Sequence, residues 1–436
     1  MLHGAGDGHW LFMLDRAAGP APTSLGDSHQ WPEAVLMDGS ATSAIGLHLP
    51  TLRVSLCRDL MGQRRLVYAR IPGGLVVASG EHILRAHPAI SDELDDGYLA
   101  AFLAGLSPAP TETIYRDIHQ IPAGAQLHLD ATGERQVQTR LEPDHAWRGM
   151  SDEQIVDRFG QLLHSSVERA CRGAARVGIS LSAGLDSSSI AAIAGRRRPD
   201  TLTVTQGLPG YPEIDESTLA AELARSLGMH HHNFPADQLL PFADAELHPI
   251  CPDHPVQSPF RPWKEVNYRA MAAAGVDVCL DGGFADDLFA GDVEWVVNAI
   301  RFRRWGVLRE QLAYLLSREG LSAMIQNTAV RRPLSRLFGR VKLHSDRLDW
   351  LRPNYRRLIE HRMDAEIRQF RDFPRPQQCM RLLGSTAAFD ASAEQWYATR
   401  HGLEHRQPFR DHQLTRWCLS LPADLFTRQG QRKWLL

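Results

Sequence analysis

The segment Val177-Gly178-Ile179-Ser180-Leu181-Ser182-Ala183-Gly184-Leu185-Asp186-Ser187-Ser188-Ser189-Ile190 constrains this chain more than any other. An apolar run of strand type passes through a turn of small residues into Ile190-Ala191-Ala192-Ile193-Ala194, an alanine-rich helical pattern. A strand that feeds a helix through Ser, Ala and Gly leaves backbone N–H groups unpaired at the helix N-terminus. With the positive end of the helix dipole they seat a phosphate-type anion, and small side chains let that anion reach the backbone. Asp186 is the odd residue in such a seat, because a carboxylate repels phosphate unless a cation lies between. Mg²⁺ is the natural bridge, a hard ion that shares carboxylate and phosphate oxygens. The same residues also suit a plain strand-to-helix turn capped by Asp186 and Ser187. No Gly-Lys-Ser/Thr follows, so this is not a Walker loop.

Downstream, Leu202-Thr203-Val204-Thr205-Gln206 reads as a second buried strand, and Asp215-Glu216-Ser217 opens a helix with acids in its first turn. Strand, helix, strand, helix indicates a parallel sheet with nucleotide at the strand ends. A second apolar run, Val276 to Leu280, ends in Asp281-Gly282-Gly283-Phe284-Ala285-Asp286-Asp287. It is either an acidic loop capping a helix that starts near Ala285 or a second wall of the nucleotide site. The run His230-His231-His232 is expected at the surface by a helix end, since three consecutive imidazoles cannot all face one ion. Arg196-Arg197-Arg198 suits a solvated helix terminus.

The first loop resembles the Ser-Gly-Gly-X-Asp-Ser pyrophosphate loop of ATP pyrophosphatases of the asparagine synthetase type. Ser182, Gly184, Asp186 and Ser187 fit, with Ala183 in place of the first glycine. The second segment resembles that family's Ser-Gly-Glu-Gly-X-Asp-Glu. Glu404-His405-Arg406-Gln407-Pro408-Phe409-Arg410-Asp411 resembles Glu-X-Arg-X-Pro-Phe-Leu-Asp, with Glu404 and Arg406 either beside the acyl end of the site or pairing to hold helices together. Gly430-Gln431-Arg432-Lys433 resembles the C-terminal lysine loop. The resemblance implies ATP and Mg²⁺. It places nucleotide contacts at Leu181, Ser182, Ala183, Gly184, Asp186, Ser187, Gln206, Asp281 and Gly282, the metal on Asp186 and Asp286, and a catalytic ammonium at Lys433. Relatives continue past this lysine, so a shortened chain is expected.

From about 34 to 90 the chain alternates short apolar runs with polar turns, the texture of antiparallel sheet, whereas residues 1–25 carry little periodic signal. Short helices are expected at about 81–87 and 95–105, and a strand pair straddling Pro122-Ala123-Gly124. Arg58-Asp59 with Gly62, Ala78-Ser79-Gly80-Glu81, and Thr113 to Gly124 resemble the glutaminase domain of asparagine synthetases. That domain uses a cysteine at its mature N-terminus. Here the chain reads Met1-Leu2-His3, and the first cysteine, Cys57, falls in a strand, where a thiol is usually inert. The expected fold class is therefore α/β: an N-terminal antiparallel β-rich glutaminase-like (Ntn-type) domain over 1–145, without its nucleophile. It is followed by a parallel-sheet α/β ATP pyrophosphatase domain with added helices over 152–436. Residues from 295 to 400 read as helical, and the basic stretch 328–354 as a loop over the site.

Six scattered cysteines with no CxxC pair argue for reduced thiols in a cytoplasmic setting. A net charge of −3 gives no reason to expect nucleic acid, and no apolar run approaches a membrane span. Asparagine synthetases have Glu and β-lactam synthetases Tyr where this chain has Gly283, and Asp281 replaces a Ser. With ammonia supply and the Tyr base both missing, the resemblance is greatest to the lasso peptide cyclases. These join a peptide's N-terminal α-amine to an Asp or Glu side chain. That implies a precursor or core peptide as substrate, with leader-binding and leader-peptidase proteins as partners. The alternatives are a ligase using free ammonia or a small amine, and an inactive scaffold.

Overall fold

A computed structural model describes residues 2–4, 10–16, 36, 42–104, 109–239, 251–253, 260–290, 295–326, 350–384, 393–428 and 431–436. Among the described residues the first domain has nine antiparallel strands: β1 (Leu2–Gly4), β2 (Trp10–Arg16), β3 (Thr42–His48), β4 (Arg53–Arg58), β5 (Val67–Ile71), β6 (Gly74–Ala78), β7 (Ile118–Gln120), β8 (Ala125–Asp130) and β9 (Gly133–Gln138). They form a six-stranded sheet in the order β1-β2-β3-β4-β8-β9 and a three-stranded sheet in the order β6-β5-β7. Leu56 and Leu127 of the larger sheet pack with Leu75 and Val77 of the smaller and with Leu66 just before β5, so period-two alternation on both sheets closes one core. Two short helices, α1 (Glu81–Leu84) and α2 (Asp96–Leu103), follow the expected places.

Two details differ from the sequence reading. Strands β1 and β2 lie in the segment that carries little periodic signal, and β3 precedes the first strand expected. The arms on either side of Pro122-Ala123-Gly124 do not pair with each other: β7 joins β5 and β8 joins β4. The run Arg58-Asp59 with Gly62 is a structural clip. The buried Arg58 guanidinium donates to the carbonyls of Gly62 at 2.6 Å, Arg64 at 2.8 Å and Ile121 at 2.9 Å, while Asp59 accepts the Met61 N–H at 2.9 Å.

Glu81 is fully buried against Arg65. Burial raises its carboxyl from 4.5 to about 7, against the opposing pull of Arg65. A carboxyl raised on folding favours the folded state fully below its unfolded pKa, and that contribution is lost as pH rises through the folded value. Glu81→Gln is therefore expected to flatten the fall in stability between pH 4.5 and about 7, read as the difference in urea midpoints of the two proteins across that range.

The second domain starts with α3 (Asp152–Cys171), entered through a capping box in which Gln154 N–H donates to Ser151 Oγ at 3.2 Å and Ser151 N–H to Gln154 Oε1 at 2.9 Å. Then come β10 (Val177–Ser180), α4 (Leu185–Arg197), β11 (Leu202–Gly207), α5 (Ser217–Ser226), β12 (His230–Pro235), α6 (Arg261–Ala273), β13 (Val278–Leu280), α7 (Ala285–Phe289), α8 (Trp295–Arg301), α9 (Trp305–Gln326), α10 (Pro353–Gln369), α11 (Pro376–Leu383), α12 over 393–399, β14 (Glu404–Arg406) and α13 (His412–Ser420). A last hairpin pairs β15 (Thr427–Arg428) with β16 (Gln431–Arg432).

The sheet order is β12-β11-β10-β13-β14, and all four pairings are parallel. Val278 and Leu280 face a core built with α3, α4 and α13, while Cys279 between them faces the opposite core with Tyr268 and Met271 of α6. Both faces are thus covered, as a parallel sheet requires. The fold class is the one expected. The histidine run is corrected: it forms the edge strand β12, with His231 Nδ1 3.0 Å from Thr203 Oγ1. Arg198, just past the C-terminus of α4, donates to the carbonyls of Ala174 and Ala175, both at 2.9 Å, and ties that helix end to the loop between α3 and β10. The loop expected over 328–354 lies almost wholly outside the described residues.

The domains meet through the Arg64–Glu404 ion pair, Arg410 donating to the Met61 carbonyl at 3.1 Å, and Asp253 accepting from the His82 N–H at 2.6 Å.

Candidate active site

The expected loop leaves β10 at its C-terminal end and turns into α4, with Gly184 as the residue before the first helical turn. Leu181 is pinned in the sheet, its N–H donating to the Val204 carbonyl at 2.9 Å and its carbonyl accepting Thr205 Oγ1 at 2.7 Å. The loop is then held by its own serines. Ser182 N–H donates to Ser187 Oγ at 2.9 Å, the two hydroxyls lie 3.0 Å apart, and Gly184 N–H donates to Ser182 Oγ at 3.2 Å. Strand β13 ends directly against it. A Cβ on Gly282 would sit 2.8 Å from Asp186 Cβ and 3.0 Å from Ser187 N, so glycine lets the end of β13 meet the first turn of α4.

Asp186, Asp286 and Lys433 converge on one point. Lys433 Nζ donates to Asp186 Oδ2 at 2.5 Å and lies 2.7 Å from Asp286 Oδ1. Burial raises the Asp186 carboxyl; Lys433 opposes that and Asp286 adds to it. Lys433 is itself held above the ordinary lysine value, its partial burial being outweighed by the two carboxylates. Two of the four non-glycine residues with left-handed backbone among those described flank this point, Phe284 at φ 76° and Lys433 at φ 56°. Such backbone costs on the order of 1–3 kcal/mol and persists where the surroundings impose it. Around Lys433 they do. Leu435 is buried in the core, Trp434 N–H donates to the Phe426 carbonyl at 3.2 Å, and Arg428 lies 4.1 Å over the Trp434 ring while pairing with Asp152 at 2.8 Å.

Asp281 and Gln206, two further expected contacts, lie at the C-terminal ends of β13 and β11. Asp281 turns its carboxylate to His405 Nε2 at 2.7 Å, the Gly283 N–H at 2.8 Å and Gln407 Nε2 at 3.4 Å. Burial alone would raise it, but His405 and these hydrogen bonds bring it to about 2. It braces the ends of β13 and β14. Gln206 stands at the C-terminal end of β11, in register with Phe234. Glu404 and Arg406 pair at 2.6 Å, and Arg406 donates to the carbonyls of Ala170 and Arg172 at 2.8 Å, so the pair ties β14 to the end of α3.

Glu216 was not legible as a site residue. Its Oε2 accepts the Ala183 N–H at 3.1 Å, a carboxylate sitting on a donor of the loop that opens α4. The sequence signals only an acid at a helix start. An anion arriving at this loop must displace it, so Glu216→Gln is expected to tighten pyrophosphate binding several-fold, measured by calorimetry on the two proteins.

The chain matches the Asparagine synthase family over residues 158–436 and the Glutamine amidotransferase domain family over 33–140. It is 29% identical over 288 residues to a putative glutamine-hydrolyzing asparagine synthetase of Mycobacterium tuberculosis, covering 63% of this chain and 43% of that protein. It is 23% identical over 408 residues to the glutamine-hydrolyzing asparagine synthetase 2 of Bacillus subtilis, covering 86% and 50%. The chain thus spans half or less of the length of these relatives. Among solved structures, the U34-tRNA thiolase NcsA of Methanococcus maripaludis aligns with 55% of this chain and 80% of its own at 11% identity and a TM-score of 0.25, too low to carry an argument. Because the strand-end loop, the second acidic wall and the lysine hairpin all fall inside the stretch 158–436, the chain belongs to the asparagine synthase family.

Proposed function

We propose that this protein is an ATP-dependent, AMP-forming amide ligase that adenylates an Asp or Glu side chain of a peptide and joins it to the peptide's N-terminal α-amine, closing a macrolactam. The observation that carries the nucleotide chemistry is the convergence of Asp186, Asp286 and Lys433 beside the loop that opens α4. The substrate carboxylate attacks the α-phosphorus, pyrophosphate leaves toward the loop N–H groups, and the amine then displaces AMP from the acyl-adenylate. Lys433 stabilises charge on the phosphate as the acyl group transfers.

The residues fit a hard cation. Asp186 Oδ1 is buried with no hydrogen-bond partner, and the Asp286 side chain is 89% exposed and approachable. Among the described residues no group of three or more His, Cys, Asp or Glu could hold a metal, so nucleotide oxygens and water would complete a sphere begun by Asp186 and Asp286. Mg²⁺ bound there would neutralise charge on departing pyrophosphate.

What the site does not offer supports this choice of acceptor. A Cβ on Gly283 would lie 2.5 Å from Gln407 Nε2 and 2.8 Å from Asp281 Oδ1, and glycine itself supplies no side-chain base there. Five of the six cysteines are buried, and burial raises the thiols of Cys57, Cys171, Cys251, Cys279 and Cys418, which disfavours release of ammonia from glutamine by any of them. A peptide α-amine, with a pKa of about 7.7–8.0, is partly neutral near pH 7 without a base. The same reading makes leader-binding and leader-peptidase proteins the partners that deliver a free core peptide, in the cytoplasm. Among the described residues no helix is long and apolar enough to cross a membrane. The relatives' names favour a second reading, ammonia or a small amine joined to a small carboxylic acid.

Mass spectrometry separates the two. A peptide with a free N-terminus and an internal Asp or Glu, incubated with protein, ATP and Mg²⁺, is expected to lose one water with formation of AMP, and its N-acetylated form to stay linear. An amide formed only with added ammonia would establish the second reading instead.

A further inference from the structure

A cavity of about 440 Å³ lies between the two domains, within the range of sites that enclose small ligands. Gln63, Arg64, Arg65 and His82 line it from the first domain, and Trp396 and Arg400 from the second. Its charges do not cancel. Arg64 is 6% exposed, its one described ion pair is with Glu404, and its Nε has no hydrogen-bond partner. Glu404 is shared with Arg406, so this group carries a net positive charge. Asp253, the carboxylate on the wall, is taken up by the His82 ring at 2.7 Å and the His82 N–H at 2.6 Å. Arg400 is exposed, with its guanidinium 5.1 Å from the centre of the Trp396 ring. A half-buried indole, a guanidinium stacked on it and Ile83, 48% exposed, offer an apolar surface edged by positive charge.

The cavity is also coupled to the candidate active site. Gln395 lines it and accepts the His405 N–H at 3.2 Å, and His405 holds Asp281, next to the Gly282 that packs on Asp186. On the other wall Gln63 donates to the Arg410 carbonyl at 3.3 Å, and the Arg410 guanidinium lies 5.0 Å over Phe284.

We propose that this interdomain cavity binds a carboxylate-bearing segment of a peptide, with Arg64 and Arg400 holding the carboxylate and Trp396 packing on an apolar neighbour. That the ligand is a peptide rests on the ligase reading; that it is anionic and partly apolar rests on the cavity alone.

The test is fluorescence anisotropy without nucleotide, using a labelled octapeptide that contains two glutamates and a phenylalanine, and the same peptide with glutamines. The glutamate peptide is expected to bind at least tenfold more tightly than the glutamine peptide. Arg400→Glu and Trp396→Ala are each expected to weaken it at least tenfold. Arg135→Glu, the same charge change on the exposed face of β9, should leave it unchanged. Equal binding of both peptides, no binding, or indifference to Arg400→Glu and Trp396→Ala would overturn the proposal. Cavity-sensitive binding without any ATP-dependent product would uphold the anionic site and remove only the ligase reading.

Discussion

Asp186→Asn is expected to lower ATP–pyrophosphate exchange by about a thousandfold or more, the scale of losing several kcal/mol of charge stabilisation at the leaving group. The substitution keeps the shape of the side chain and removes only its charge. Gly282, whose hydrogen would give way to no Cβ without meeting Asp186, remains correctly packed. Stability should not fall with activity. Burial disfavours the Asp186 carboxylate in the folded protein, so a neutral amide relieves that cost while giving up the contact to Lys433, which keeps Asp286. The melting temperature is therefore expected to stay close to that of the parent. Exchange within tenfold of the parent would remove Asp186 from the metal and nucleotide assignment.

Lys433→Met should reduce product formation by about a hundred- to a thousandfold, the usual loss when one donor to a developing negative charge is removed. The neighbouring anchors, Leu435 in the core and Trp434 under Arg428, do not depend on the ammonium, so the hairpin should stay in place. Lys433→Arg is expected to restore little. A planar guanidinium cannot reproduce an ammonium gripped by two carboxylates at 2.5 and 2.7 Å. A Lys433→Met protein with parental turnover and parental melting would mean that the lysine only neutralises Asp186 and Asp286.

The readable parts of this protein were those whose physics is local. The loop from Val177 to Ile190 carries its own serine contacts within five residues of one another, so its shape follows from the residues that form it. The same holds for the capping box at Ser151 and the helix beginning at Ala285. Lys433 meets Asp186 across 247 positions, and only the family resemblance brought them together. Glu216 and His405 carry no local signal, because each acts on a neighbouring strand end that the parallel sheet brings alongside. Strand β12 was missed because it is an edge strand whose only buried side chains described are toward its C-terminal end, at Phe234, so period-two alternation is absent from the histidines. The charge pairs at Arg58-Asp59 and Glu404-Arg406 were legible as motifs, and the contacts described for them are structural. Arg58 closes a turn and Arg406 ties a strand to the end of α3.

The central claim, activation of a peptide carboxylate at a site built from Asp186, Asp286 and Lys433, is tested most directly by ATP–pyrophosphate exchange with and without peptide. Exchange is expected only in the presence of a peptide bearing an internal Asp or Glu, and is expected to disappear when that residue becomes Asn or Gln. No exchange with any such peptide, or exchange that ignores the loss of the carboxylate, would contradict it.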